Sequence, residues 1–412
     1  MNTTVTMKDP VVIAQSGTAN NLRVEVPAYN PHHGWGRFRM PKVFRLPGGD
    51  IGLTFSVSLD HYGDQGRLSP LFVSRDNGAS WVEIDWPDNR GAETGFKGMG
   101  TFIAELFDGD FLAIPATNGL EVRPETLSAP AGQILDFAAP FKLYDTGHPL
   151  LRDWFAEFNG MRWSAQTKRW EPVKIPWGDH ARQLAFVYDD KPQGIAGHWT
   201  QKFYFELPVV KGDGELFAAD YWSIHRNVDG TPPSAWPSSL MVSRDNGRTW
   251  QWRSFIASDA SASGVPNVHY MEPSLARNLR GELVSVIRNA VGPMLHTHSK
   301  DNGFTWSKPA QLAHLSSQGV FPQLLQLANG VMVLAYGRAD RGIWISCSRD
   351  GGHSWEPSVN VTTDTGDIIS CGYVSMVALD EKTFLLAYAD VNLKNPAGEN
   401  CKSIVVREIT AK

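Results

Sequence analysis

Ser74-Arg75-Asp76-Asn77-Gly78-Ala79-Ser80-Trp81 returns three more times along the chain, as Ser243 to Trp250, Ser299 to Trp306 and Ser348 to Trp355. All four copies fit Ser-(Arg/Lys)-Asp-(Asn/Gly)-Gly-X-(Ser/Thr)-Trp. Asn-Gly or Gly-Gly after an Asp supplies the positive φ values that a tight hairpin turn demands, and the Asp and Ser/Thr side chains can satisfy the turn amides. The closing Trp can then pack sideways into a neighbouring sheet. Such a motif is architectural: it marks hairpins on the outer part of sheet units and carries no chemistry of its own.

Ahead of each copy stands the same order of elements: an apolar strand, a Gly-centred turn, a second apolar strand, a short loop, and a third strand entering the motif. Glu272 to Trp306 and Phe321 to Trp355 are the clearest examples; in the latter Pro322 to Leu327, Val331 to Tyr336 and Ile343 to Ser348 read as the strands. Four-stranded units of this kind cannot bury their faces alone, which favours radial stacking around an axis. The expectation is an all-β, single-domain, six-bladed β-propeller with blades at about 36–90, 98–198, 199–258, 267–314, 319–362 and 372–409, the last closed by a strand from residues 10–26. The second unit begins well at Gly100 to Pro115 but lacks the turn motif. Its Trp- and Pro-rich continuation to about residue 198 reads as a long irregular insertion, loops with a small lobe over one face.

Composition agrees with a soluble globular protein: of 412 residues 42% are hydrophobic and 20% charged, and 15 Trp, 38 Gly and 26 Pro favour short strands and many turns. A net charge of -5 without runs of like charge argues against a nucleic-acid partner. Cys347, Cys371 and Cys401 are sparse, odd in number and lack metal-ligand spacing, so neither a disulfide framework nor a metal is expected, and no cofactor. Met1 to Pro10 shows no basic start followed by an apolar stretch, and no run of 18 apolar residues occurs. The chain therefore reads as cytoplasmic, with no membrane partner. Phosphate-cradling glycine loops and nucleophile elbows are absent from the sequence.

In a propeller, polar residues at the ends of inner strands converge on the axis, where a pocket forms. Arg39, in Phe38-Arg39-Met40-Pro41, and Glu272, ahead of Pro273, hold such positions. So do Arg288, ending a second strand, Arg341, preceding a third strand, and Tyr373, opening the final inner strand. Asp64 lies in the Asp60 to Gly66 loop of the first unit. Taken singly, Arg288 and Arg341 also read as salt-bridge partners at blade edges and Tyr373 as a core aromatic. Glu before Pro at an inner-strand start has little evident structural purpose.

The sequence resembles the sialidase (neuraminidase) family from about residue 36 onward, except over residues 116–198. Phe38-Arg39-Met40-Pro41 is similar to that family's Phe/Tyr-Arg-Ile-Pro signature, and the four repeats are similar to its Asp-boxes. Glu272-Pro273 followed by Gly281 and Arg288 resembles the family's glutamate and second arginine, Arg341-Gly342-Ile343 the setting of its third arginine, and Gly372-Tyr373-Val374-Ser375 that of its nucleophilic tyrosine. Asp64 falls where the acid/base aspartate is expected, although Asp60 nearby is an equal candidate. One departure is Ser56-Val57-Ser58-Leu59-Asp60, standing where family members often carry a further arginine. That leaves the sugar open among a sialic acid, a related nonulosonate and a terminal uronate.

The resemblance implies an exo-acting retaining glycoside hydrolase acting on an acidic oligosaccharide or glycoconjugate. Three guanidiniums, Arg39, Arg288 and Arg341, would grip the substrate carboxylate through paired hydrogen bonds. A neutral phenol, Tyr373, would attack the anomeric carbon as Glu272 takes its proton, because a carboxylate nucleophile would be repelled by an anionic sugar. Asp64 would protonate the leaving group. Two alternatives stand beside this: a lyase or hydrolase acting on uronate-containing glycans, with His61, His269, His296 and His298 noted for that chemistry, and a non-catalytic carbohydrate-binding propeller. Trp154, Trp163, Trp170, Trp177 and Trp199 read either as platforms for sugar faces or as the core of a lobe.

Overall fold

A computed structural model describes residues 3–17, 21–23, 38–57, 69–86, 102–114, 120–135, 140–178, 182–189, 198–200, 205–258, 269–290, 292–315, 318–338, 341–365, 370 and 372–412. Inner strands Arg39–Arg45, Phe102–Glu105, Phe205–Gly212, Tyr270–Arg277, Gly319–Gln326 and Val374–Ala378 lie side by side in that order, and the last lies against the first, closing a ring around an axis. From each, antiparallel strands step outward. Gly319–Gln326 pairs with Met332–Arg338, that with Ile343–Ser348, and that with Val359–Thr362. The sheets that start at Arg39–Arg45 and Tyr270–Arg277 repeat the pattern. The closing sheet runs Val374–Ala378, Thr383–Asp390, Ser403–Ala411, and its outer strand takes two N-terminal strands, Val5–Met7 and Val11–Gln15. The chain's two ends are thereby joined through one sheet. The architecture is a sialidase-like β-propeller, all-β as the repeat implied.

Each Asp-box makes the same bonds. In the first, Ser74 Oγ donates to Asp76 Oδ1 (2.8 Å), Gly78 N–H to Ser74 Oγ (2.7 Å), Ser80 N–H to Asp76 Oδ1 (2.8 Å) and Ser80 Oγ to Asp76 Oδ2 (2.5 Å). The boxes at Asp245, Asp301 and Asp350 repeat all four. Every box also sits against the preceding sheet. A Cβ at Gly303 (φ 80°) would stand 2.0 Å from Leu240 Cδ2, and one at Gly78 2.7 Å from Leu385 Cδ1. Trp81, Trp306 and Trp355 pack on the apolar clusters of the sheets before their own, and Trp250 is wholly buried against Leu106 and Leu112. The motif thus works as the fastening between neighbours.

The stretch expected to be irregular is instead mostly regular. Glu157–Ser164 and Arg169–Gly178 form a hairpin that completes the sheet of Phe102–Glu105 and Phe111–Ile114, and Trp177 pairs in parallel with Trp250, joining this sheet to the next. Leu120–Val122, Gly132–Leu135, Pro140–Asp145, Gln183–Asp189 and His198–Thr200 build a separate sheet, joined by Ile224–His225 and accompanied by helix Pro149–Ala156. Pro172 and Pro176 had disguised a strand. Both lie exposed at positions that pair with Glu157–Ser164 alone, since the pairing to the next sheet is confined to Trp177 and Gly178, so a missing N–H costs little. Of the tryptophans read either as sugar platforms or as the core of a lobe, most are packing residues: Trp163 faces Trp170 across the hairpin, Trp177 is buried, and Trp154 packs on the small sheet's core. The Trp199 side chain lies outside the described residues. No helix among the described residues is long and apolar enough to cross a membrane.

Candidate functional site

Three inner strands begin with the same irregularity. Met40, Glu272 and Phe321 each adopt positive φ (52°, 45° and 46°) immediately before a proline, at register shifts between Arg39 and Lys42, Met271 and Ser274, and Val320 and Gln323. A proline cannot donate to the ladder, and a bulge both removes that demand and turns the preceding side chain out of the regular alternation. At Glu272 the turned side chain reaches the next inner strand, where Oε2 accepts the Phe321 N–H at 3.0 Å. Two residues on, Ser274 Oγ accepts the Leu324 N–H at 2.8 Å. A positive φ on a non-glycine residue persists only where its surroundings over-determine it. Those surroundings are here the neighbouring sheet.

Glu272 is 3% exposed and collects three partners. Its Oε1 accepts the Tyr373 hydroxyl at 2.6 Å and Arg288 Nη1 at 2.9 Å, while Oε2 holds the Phe321 amide. The Phe321 ring lies 4.3 Å from that of Tyr373 between centroids, tilted by 32°. Glu272, Arg288 and Tyr373 come from two sheets that are not neighbours in the ring, so their meeting is a product of the closed fold. Burial pushes the Tyr373 phenol well above its ordinary pKa of 10.0, the charge of Glu272 and the nearby Tyr221 push it further, and Arg288 opposes them. At neutral pH the phenol is therefore protonated, with a carboxylate oxygen in place to take its proton. Burial alone would lower the pKa of Arg288, but Glu272 and then Tyr373 outweigh it and hold the guanidinium charged.

Arg39 is fully buried at the start of its strand, opposite Ser56. Val43 N–H donates to Ser375 Oγ at 3.1 Å, aligning the first and last inner strands so that Arg39 and Tyr373 occupy the same end of the ring. Arg341 (φ 72°) is half-buried in the turn before Ile343–Ser348, in the electrostatic field of Asp364. Asp64, Asp60 and His61 lie outside the described residues. His296 and His298 stand on a third strand, and the His298 ring stacks on His353 of the next Asp-box at 4.2 Å, out on the blades and away from the axis. His269 Nδ1 accepts the Trp236 N–H at 3.4 Å.

Two residues absent from the sequence reading join this end of the ring. Tyr221 is 8% exposed, follows Glu215–Asp220, and lies within the electrostatic reach of both Tyr373 and Arg288. Its carbonyl accepts the Trp236 indole N–H, and with Trp236 it belongs to the small sheet's apolar core, on which Met271 also packs. The signal for it was positional, since Tyr221 ends a second strand as Arg288 does in its own sheet. Asp364 is the other, in the segment leading to Tyr373. Farther along the inner strands a cavity of about 400 Å³ opens, lined by Val43 to Arg45, Ile103 to Glu105, Leu324 and Met376. It lies beyond the ring end that carries Glu272 and Tyr373. Among the described residues no group of three or more His, Cys, Asp or Glu is placed to hold a metal ion.

Residues 198–386 match the BNR repeat-like domain family. No curated protein matches the sequence. A protein of unknown function from Dyadobacter fermentans superposes with a TM-score of 0.63 at 19% identity, covering 99% of each chain. A Hadza microbial sialidase gives 0.52 at 18% identity over 92% of this chain and 67% of its own. A GH93 α-L-arabinofuranosidase of Fusarium graminearum in complex with arabinobiose gives 0.53 at 13% identity over 97% of each. At these identities the likeness is one of fold, shared with glycoside hydrolases. With its four Asp-boxes and its closed ring, the chain has a sialidase-like β-propeller fold, and its residues 198–386 match the BNR repeat-like family.

Proposed function

We propose that the protein is an exo-acting retaining glycoside hydrolase that releases a terminal acidic sugar, with Tyr373 as nucleophile. The observation that carries this reading is the buried cluster in which Tyr373 and Arg288 both bond to Glu272 Oε1. A phenol with a raised pKa is a poor nucleophile until its proton leaves, and Glu272 lies along the only path the hydrogen bond defines. As the Tyr373 oxygen bonds to the anomeric carbon, its proton passes to Glu272. The glycosidic C–O bond breaks as the leaving oxygen takes a proton from the Asp64 or Asp60 carboxyl, and water, giving its proton back to that carboxylate, then cleaves the tyrosyl glycoside while Glu272 returns the proton to the Tyr373 oxygen. Arg39 and Arg341, at the same end of the ring, complete with Arg288 a cationic receptor for a carboxylate. Such a receptor favours an acidic sugar over the neutral arabinobiose bound by the fungal relative.

The test is turnover on fluorogenic sialyl, glucuronyl and arabinofuranosyl glycosides, with Tyr373→Phe as comparison. The expected result is cleavage of an acidic glycoside by the wild type and binding without turnover by the variant. Unchanged turnover in Tyr373→Phe overturns the mechanism, and binding without turnover by the wild type makes the protein a carbohydrate-binding propeller. An unsaturated uronate among the products reassigns the reaction to β-elimination.

A further inference from the structure

We propose that Phe321 is a positioning residue of this site, holding the carboxylate of Glu272 with its backbone and the ring of Tyr373 with its side chain. Glu272 and Tyr373 belong to sheets that do not adjoin, and the inner strand between them is Gly319–Gln326. Two amides of that strand bond back to the strand of Glu272: the Phe321 N–H donates to Glu272 Oε2 at 3.0 Å and the Leu324 N–H to Ser274 Oγ at 2.8 Å. Toward the closing sheet the same strand meets Tyr373, with the two ring centroids 4.3 Å apart and the planes 32° from parallel. The backbone beside Tyr373 is seated there too. A Cβ on Gly337, which pairs across from Val320, would stand 2.3 Å from the Gly372 Cα, and one on Gly372 would stand 3.4 Å from Val320 Cβ. With the 2.6 Å bond from the Tyr373 hydroxyl to Glu272 Oε1, proton acceptor, amide, ring and nucleophile form one closed circuit.

The backbone role alone does not explain the residue type. Phe321 holds φ 46° immediately before Pro322, inside a register shift of its strand. A bulky side chain is disfavoured at positive φ, where glycine or asparagine enters freely and would offer Glu272 the same N–H. The ring is what those residues lack. It is 4% exposed, so it presents almost no surface to a substrate, and the aromatic ring it stacks on is that of Tyr373. A phenol free to turn about its side-chain bonds would spend much of its time away from the approach that bond formation needs. A ring fixed by the strand that also fixes the proton acceptor keeps the two reacting groups in one geometry.

The effect on turnover rests on the hydrolase reading, and the effect on the ring does not. Phe321→Leu keeps the amide and removes the aromatic face, so kcat for the acidic glycoside should fall ~10–100-fold with KM within about twofold of wild type. Phe321→Tyr keeps the face and should retain most of kcat. Leu334→Ala opens space in the apolar core of the same sheet, so it should lower the melting temperature and leave kcat within about twofold of wild type. Unchanged kcat in Phe321→Leu overturns the proposal, and so do losses of kcat that track the losses of melting temperature across these variants. Tyrosine labelled with carbon-13 at the two ring carbons beside the hydroxyl reads the hold by NMR without turnover, the Tyr373 signals being those missing from Tyr373→Phe. Two separate signals in the wild type that merge into one in Phe321→Leu mark a ring whose flipping Phe321 blocks, and support the proposal. One averaged signal in the wild type, or two in both proteins, overturns it. A wild type that hydrolyses no acidic glycoside sinks the hydrolase reading, while the ring signals still decide this one.

Discussion

Replacing Glu272 by Gln perturbs three hydrogen bonds with one atom. The amide oxygen can take the place of Oε1, between Tyr373 and Arg288, but the amide nitrogen then stands where Oε2 accepted the Phe321 N–H. Two donors face each other there, and an unsatisfied buried donor costs about 1–3 kcal/mol. The second cost falls on Arg288, whose side chain is only 15% exposed and loses its counter-charge. Breaking a fully buried pair costs about 3–5 kcal/mol, and the exposed fraction of Arg288 brings its share to roughly 2 kcal/mol. Glu272→Gln should therefore destabilise the protein by about 4 kcal/mol in all, read as a lowered urea midpoint. Loss of the proton acceptor should cut kcat by about 10²–10⁴-fold. Adding Arg288→Met removes the stranded cation and should restore about 2 kcal/mol while leaving turnover lost. A Glu272→Gln protein as stable and active as wild type would refute the reasoning, and so would a double variant less stable than the single.

Other outcomes follow from the propeller's fastenings. Gly303→Ala should cost about 2–4 kcal/mol, from a positive φ and a Cβ driven into Leu240, whereas Gly48→Ala, with φ 91° and open space around it, should cost about 1 kcal/mol; equal melting shifts for the two would contradict the interlocking of Asp-box and neighbouring sheet. The Asp76 carboxyl is held at about 2, first by the Ser80 hydroxyl and amide and then by Ser74, against an ordinary value of 3.8. Its folded pKa is the lower one, so its contribution is complete above that ordinary value and disappears as pH falls toward 2. Acid titration of stability should accordingly be flatter in Asp76→Asn over that window and parallel to wild type at neutral pH; parallel curves throughout would remove the Asp-box from the acid response.

The parts of this molecule visible in its sequence are those where a local rule and the global fold agree. Four Asp-boxes announce themselves because Asp76, Asp245, Asp301 and Asp350 need the same short side chains at the same offsets to satisfy one turn. Glu272 stood out for a related reason: a glutamate before Pro273 makes little sense in a regular strand, and the bulge with φ 45° is what that pair encodes. Phe321-Pro322 carries the same signal and passed unread, since an aromatic residue there suggests only core packing. The hairpin that completes the second sheet was hidden by Pro172 and Pro176, which look like breakers until the strand is seen to pair with the next sheet only at Trp177 and Gly178, past both prolines. Tyr221 carries only a positional signal, the end of a second strand, and Asp364 carries none. Tyr221 stands far along the chain from Tyr373, and only closure of the ring brings the two within electrostatic reach.

The central claim is that Tyr373 bonds to the sugar. Incubating the protein with a fluorinated acidic glycoside that forms the adduct quickly and releases it slowly, then digesting and sequencing by mass spectrometry, locates the bond. The account predicts one added sugar on the peptide carrying Tyr373, and none in Tyr373→Phe. A stable adduct on any other residue, or steady turnover of an acidic glycoside with no adduct on Tyr373, would contradict it.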